Sequence, residues 1–152
     1  VECPAKAIEF KGPYEDMGKA QLQEAFKEAI TSEPLIINFY CSYNLDLVLS
    51  KEELPKNIRQ VNLLSLGKLS PGLILDAFVK GADGVLITSC DDSCHFGDAC
   101  KTWAEQRAET AMDFLASIGI EKERVKYHTL PDQEGNSFLQ TANQLLEEIN
   151  NL

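Results

Sequence analysis

At 152 residues, 44% of them hydrophobic, the chain is long enough to bury one domain-sized core without disulfide or metal staples. Its 24 acidic against 14 basic side chains leave a formal net charge of −10, which repels phosphate backbones and anionic lipid and so excludes nucleic acid as an expected partner. No apolar run reaches the roughly 20 residues needed to span a bilayer, so no direct membrane insertion is expected, and five cysteines, three of them clustered, point to a reducing cytoplasm.

The chain opens on Val1-Glu2-Cys3-Pro4-Ala5-Lys6-Ala7-Ile8, which carries the Cys-Pro ending of a bacterial ferredoxin run, where the last thiolate ligand precedes proline. The three preceding cysteines are absent. Residues 1–17 are therefore expected to be the remnant of a ferredoxin-like segment plus linker, with Cys3 a [4Fe-4S] ligand only in an intact parent protein. Residues 18–152 are expected to form one α/β domain.

Leu22, Ala25, Phe26, Ala29 and Ile30 recur at helical spacing and predict a helix from about Lys19 to Ile30, ending before Ser32-Glu33-Pro34. Leu35 to Tyr40 is a short run with β-branched and aromatic members, the pattern of a strand buried on both faces. Ile58 to Leu64 is a second, weaker strand. Ser70-Pro71 offers an N-cap and an N1 proline to a helix whose face is Leu73, Ile74, Ala77 and Phe78, with Gly81 as its stop. Gly84 to Ser89 is the third strand. Beyond it, Ala104, Ala108, Ala111, Leu115 and Ile118 define a long helix from about Asp98 to Ile118, ended by Gly119. Val125, Tyr127 and Thr129 alternate as a fourth strand, and Phe138, Ala142, Leu145 and Ile149 mark the last helix.

Strands alternating with helices give right-handed parallel β-α-β units. The expected fold is α/β, a three-layer sandwich with a mainly parallel four-stranded sheet of flavodoxin-like or Rossmann-like type. The loops after Tyr40, Leu64 and Ser89 then emerge at one edge, where such sheets place their chemistry, and Cys41 is brought toward Cys90, Cys94 and Cys100.

Four thiolates at one edge match the ligand count of a [2Fe-2S] or [4Fe-4S] cluster or a structural zinc. The C-x3-C-x5-C spacing is not a standard zinc pattern, and Cys100 can equally point inward as a small hydrophobe. A thiol-redox role is a further alternative: Cys94 and His95 lie near a helix N-terminus, which lowers a thiol pKa, but Asp91, Asp92 and Asp98 crowd the same loop and raise it. Buried or loop thiols without metal remain the plainest reading. His95 reads as an exposed loop residue, and His128, beside Lys126, as surface. Trp103, Phe96 and Phe114 are candidates for an aromatic docking patch or for core. Gly81-Ala82-Asp83-Gly84 precedes a strand and reads as a tight turn, not a phosphate loop; no P-loop, G-x-S-x-G or H-E-x-x-H occurs.

Taken together, Ala77-Phe78 leading into Gly81-Ala82-Asp83-Gly84-Val85, then Ile118-Gly119-Ile120-Glu121 with Glu123-Arg124-Val125, then Glu134-Gly135 before Phe138, carry a family resemblance. Cys41-Ser42-Tyr43 and Cys90/Cys94-His95 match the cysteine segments of the same family. From roughly Leu35 to Asn150 the chain resembles the delta subunit family of methyl-viologen-reducing hydrogenase. These are small iron–sulfur proteins linking hydrogenase to heterodisulfide reductase, also found fused to the C-terminus of heterodisulfide-reductase A-type flavoproteins. Among fused forms it is similar to the B-subunit family of the quinone-interacting membrane-bound oxidoreductases of sulfate reducers.

The resemblance implies an electron-transfer or docking domain of an oxidoreductase complex in anaerobic energy metabolism, with other subunits of that complex as partners. It implies a possible [2Fe-2S] cluster on Cys41, Cys90 and Cys94, with Cys100 as a local fourth candidate; FAD and [4Fe-4S] belong to the intact parent. Three departures weaken the cluster. The family's C-x-x-C before Ser-Tyr begins here with Asn38, and its Cys-Ser-Gly segment is Ser65-Leu66-Gly67. The later two cysteines of the family are also one residue farther apart than Cys90 and Cys94. The alternative is a stand-alone thiol-redox or metal-binding α/β protein.

Overall fold

The structure, a computed structural model, describes residues 14–27, 33–41, 54–90, 94, 97–130 and 135–152. Its first helix, α1 (Tyr14–Lys27), starts ahead of Lys19, where the apolar repeat begins. Glycine explains the difference. Gly18 is buried, and a Cβ there would lie 3.0 Å from Leu73 Cδ2 and 3.4 Å from Leu63 Cδ2, so this turn faces the core without a side chain that periodicity can count. The expected end at Ile30 lies outside the described residues.

Among the described residues four strands follow: β1 (Ile36–Cys41), β2 (Ile58–Leu63), β3 (Gly84–Cys90) and β4 (Val125–Leu130). They form one sheet in the order β2-β1-β3-β4, and every pairing is parallel. The central β1 and β3 are buried along their whole length, which is why they read as unbroken apolar runs. The remaining helices are α2 (Pro71–Val79), capped by the Ser70 hydroxyl accepting from Leu73 N at 3.2 Å, α3 (Asp98–Ser117) and the last helix, α4 (Gly135–Asn150).

The layers follow from strand alternation. Ile37, Phe39, Val61, Leu63, Val85 and Ile87 pack with α1, α2 and α3 on one face; Ile36, Tyr40, Leu86 and Leu130 pack with Phe138, Ala142, Leu145 and Ile149 of α4 on the other. This is the three-layer α/β sandwich, with a wholly parallel sheet.

The Gly81-Ala82-Asp83-Gly84 segment is a tight turn from α2 into β3. Gly81 takes a φ of 103°, Ala82 N donates to Ala77 O at 3.0 Å, and the Asp83 carboxylate accepts from Leu35 N at 2.8 Å. Gly84 lies under α4, where a Cβ would fall 2.5 Å from Ile149 Cδ1 and 3.3 Å from the Arg124 carbonyl oxygen. Gly84→Ala is thus expected to destabilise the fold by about 1–3 kcal/mol through overpacking. Urea unfolding checks it, and Ile149→Val, which removes the offending methyl, should recover part of the loss in the double variant.

Because β2 and β3 flank β1, the chain leaves β1 toward one side of the sheet and continues from β3 toward the other. A crevice opens at such a reversal, above the carboxyl ends of the two central strands. Cys41 closes β1 and Cys90 closes β3.

Candidate functional site

Sheet register assigns the two strand-end thiols to different faces. Cys41 pairs with Leu63, a member of the three-helix cluster, and itself belongs to that cluster. Cys90 pairs with Leu130, which packs under α4. Neighbours in register share a face of the pleat, so the sulfurs leave the sheet on opposite sides and approach each other only around its end.

Cys94 is half-buried and packs against the three-helix cluster. Its carbonyl accepts from Gly97 N at 2.9 Å in the turn that leads into α3, and Gly97 adopts a φ of 75°. Burial, then the Cys94 hydrogen bond and the charges of Cys94 and Cys41, push the Cys90 thiol up to about 12. It remains protonated at neutral pH. The Cys41 thiol donates to Leu64 O at 3.5 Å.

Cys100 has other partners. In the first turn of α3, its sulfur accepts the Gly67 N–H at 3.2 Å and lies 3.2 Å from Ser65 Oγ. Those two residues belong to a 3₁₀ turn, Leu66–Lys68, capped by Ser65. Two turns farther along α3, the Arg107 guanidinium donates to the carbonyls of Gly67 and, at 3.3 Å, Leu69. A Cβ on Gly67 would lie 3.4 Å from the Cys100 Cα, so the glycine permits this close grip of helix on turn.

Asn38, fully buried in β1, accepts from the Thr88 hydroxyl at 2.7 Å and donates to Gln60 Oε1 at 3.4 Å. The two positions where the family resemblance implies thiols, Asn38 and Ser65, thus hold oxygen and nitrogen groups already engaged in hydrogen bonds. Among the described residues, no three Cys, His, Asp or Glu side chains are placed to share one metal ion. None of Cys41, Cys90, Cys94 and Cys100 is in a disulfide.

The remaining candidates are dispersed. His128 is half-buried, not a surface residue: α4 covers it, Thr141 Oγ1 lies 3.2 Å from Nδ1, and burial holds its pKa below the usual imidazole value. Trp103 and Phe114 are both exposed on α3, but eleven residues at 1.5 Å rise separate them by about 16 Å, too far for one aromatic patch. Cys3, Asp91, Asp92, His95 and Phe96 lie outside the described residues. Tyr127, in β4, is half-buried, and burial pushes its hydroxyl up to about 12. The Arg107 grip and the Asn38–Thr88 pair escaped sequence reading, although an Asn inside Ile36-Ile37-Asn38-Phe39 is itself a signal that a buried partner exists.

The sequence pattern of the methyl-viologen-reducing hydrogenase delta subunit matches residues 35–152. The chain belongs to this family. It is 32% identical over 123 residues to the iron-sulfur subunit of the vhc F420-non-reducing hydrogenase of Methanococcus voltae, covering 77% of this chain and 85% of that one. It is 30% identical over 136 residues to one subunit of the ferredoxin/F420H2-dependent CoB-CoM heterodisulfide reductase of Methanosarcina acetivorans, and 29% identical over 122 residues to the corresponding subunit of the ferredoxin:CoB-CoM heterodisulfide reductase of Methanosarcina mazei. These matches cover 86% and 76% of this chain but only 17% and 15% of the reductase subunits. Delta-type sequence therefore occurs both as a small chain of its own and as a minor part of a long one. Among the described residues no helix is long and apolar enough to cross a membrane.

Proposed function

We propose that this chain is the docking domain of a heterodisulfide-reductase-like oxidoreductase of anaerobic energy metabolism, working in the cytoplasm, in which the cluster site of the delta-subunit family is degenerate. Its partners are other subunits of that redox complex. The observation that carries the reading is the pair of substituted positions: Asn38 is committed to Thr88 in the buried core, and Ser65 is committed to Gly67 and Cys100. Neither an amide nor an alcohol replaces thiolate well as an iron ligand, since iron–sulfur clusters are held by soft sulfur donors.

Membership of the family supports the redox-complex setting, and the relatives' names, a hydrogenase iron-sulfur subunit in one case and a heterodisulfide reductase subunit in the others, support the type of complex. A place within a longer flavoprotein with its own FAD and [4Fe-4S] centres, of the kind met in the quinone-interacting oxidoreductases of sulfate reduction, is supported by the matches to heterodisulfide reductase subunits, which cover only 17% and 15% of those chains. Cys41, Cys90 and Cys94 are then what remains of a [2Fe-2S] ligand set, with Cys100 a local candidate beside them.

Iron and acid-labile sulfide analysis after anaerobic expression tests this. The expected protein is colourless, with iron well below stoichiometric, and it still co-purifies with the other subunits. A brown protein with stoichiometric iron that is lost in Cys90→Ser or Cys94→Ser would instead establish an electron-transfer domain with a working cluster.

A further inference from the structure

We propose that the cleft between α1 and the carboxyl end of β2 is the surface through which this domain docks, and that it takes an extended segment of another subunit in which apolar side chains alternate with carboxylates. The inference rests on the docking reading; it adds the place and the chemistry of the partner.

Three pieces of chain meet to build the cleft. Met17 and Lys19 come from α1, Leu63 and Leu64 from the end of β2 and the residue after it, and Lys68 and Leu73 from the 3₁₀ turn and α2. Counting the part open to solvent, it encloses about 490 Å³, the size of a site for a short segment and too small for a folded unit. Gly18 lets its floor close: a Cβ there would meet Leu73 Cδ2 at 3.0 Å and Leu63 Cδ2 at 3.4 Å.

The walls and the rim select the occupant. Met17 is 48% exposed and Leu64 49% exposed, although Leu63 and Leu73 beneath them are buried. Large apolar side chains held half in water over an apolar floor are what the centre of an interface presents, and methionine adapts its shape to a partner. The rim is cationic. Lys19 and Lys68 are exposed and, among the described residues, neither is paired with a carboxylate, whereas Lys27, Lys122, Arg124 and Lys126 each are. No acidic side chain lines the cleft among the described residues. On a chain of net charge −10, a cleft whose only charges are positive both attracts an acidic segment and fixes its register. The same net charge on two copies opposes self-association through it.

The cleft is also formed before any partner arrives. Arg107 holds the carbonyls of Gly67 and Leu69, the residues on either side of Lys68, and Gln21 Oε1 accepts from Asn62 N at 2.7 Å, which ties α1 to the edge of β2. Walls that are already ordered lower the entropic cost of binding. Because Leu64 O accepts the Cys41 thiol, a segment seated here lies beside the end of β1.

Photocrosslinking in the assembled complex identifies the occupant. With p-benzoylphenylalanine in place of Leu64, irradiation should join this chain to an acidic, apolar stretch of another subunit, located by mass spectrometry. In binding measured with the purified other subunits, Lys19→Glu combined with Lys68→Glu should weaken the complex by about tenfold. Rising salt should weaken the unmodified complex more than that of this double variant. Lys56→Glu combined with Lys80→Glu makes the same change of charge away from the cleft and should have much the smaller effect. Circular dichroism confirms that each variant is folded. Crosslinks to residues 1–13 or 42–53 of the same chain, to a second copy, or to a segment without carboxylates overturn the proposal, as does equal weakening by the two double variants. If the subunits assemble but are indifferent to Lys19, Lys68 and Leu64, this surface falls and the docking reading stands; if the unmodified chain does not bind the other subunits, the docking reading falls and takes this one with it.

Discussion

Replacing Arg107 by Ala is expected to lower the stability of the chain by about 2–4 kcal/mol, the loss of two charge-assisted hydrogen bonds that leaves two carbonyls less well satisfied. The guanidinium reaches from α3 to Gly67 and Leu69, so one planar group serves two acceptors at once. Both bonds come from one nitrogen, Nη1, which the planar guanidinium holds in place, whereas a lysine ammonium on a flexible stem is less fixed and more strongly hydrated, so lysine is a poor substitute. Arg107→Lys should therefore recover less than half of the loss in a chemical denaturation series. The variant also loosens the 3₁₀ turn that holds Cys100, and a thiol reagent reports this directly. Cys100 should change from the slowly labelled sulfur of a buried residue to a fast-reacting one while the rest of the fold persists.

Thr88→Val comes second, at about 2 kcal/mol. Valine fills the volume but removes the hydroxyl that donates to Asn38 Oδ1 at 2.7 Å. A buried acceptor without its donor costs roughly 1–3 kcal/mol, whereas replacing both partners by apolar groups can be nearly neutral. Asn38→Leu combined with Thr88→Val should accordingly be more stable than Thr88→Val alone. A double-mutant cycle measured by urea unfolding checks the sign of the coupling, and additive losses would mean that the two side chains do not depend on each other.

The architecture was legible in the sequence for a physical reason. β1 and β3 are covered on both sides, so burial wrote continuous apolar runs at Leu35–Tyr40 and Gly84–Ser89, and the helix between β2 and β3 carried clear caps at Ser70-Pro71 and Gly81. The alternation of strand and helix then left little choice but parallel pairing. What sequence could not supply was the face on which each thiol emerges. Topology says that Cys41 and Cys90 reach the same edge, but the pleat has a period of two, and a single-residue difference in where strands end reverses the side. Cys41 stands beside Leu63 and Cys90 beside Leu130, on opposite layers. Cys100 was misleading for a different reason: its spacing put it near the loop, yet the groups that hold it, Ser65 and Gly67, are more than 30 residues away in the chain.

Asn38 also acts as a registration mark for the sheet. Sliding β1 by two residues along β3 keeps every side chain on its proper layer, so a purely hydrocarbon strand would resist that slip only weakly. Asn38 stands opposite Leu86 and Thr88 opposite Tyr40, so the slip that would set Asn38 opposite Gly84 parts the amide from the hydroxyl inside the buried core. The height at which the two strand-end sulfurs sit relative to one another is thus set by a polar vernier in the middle of the sheet, within a few residues of them.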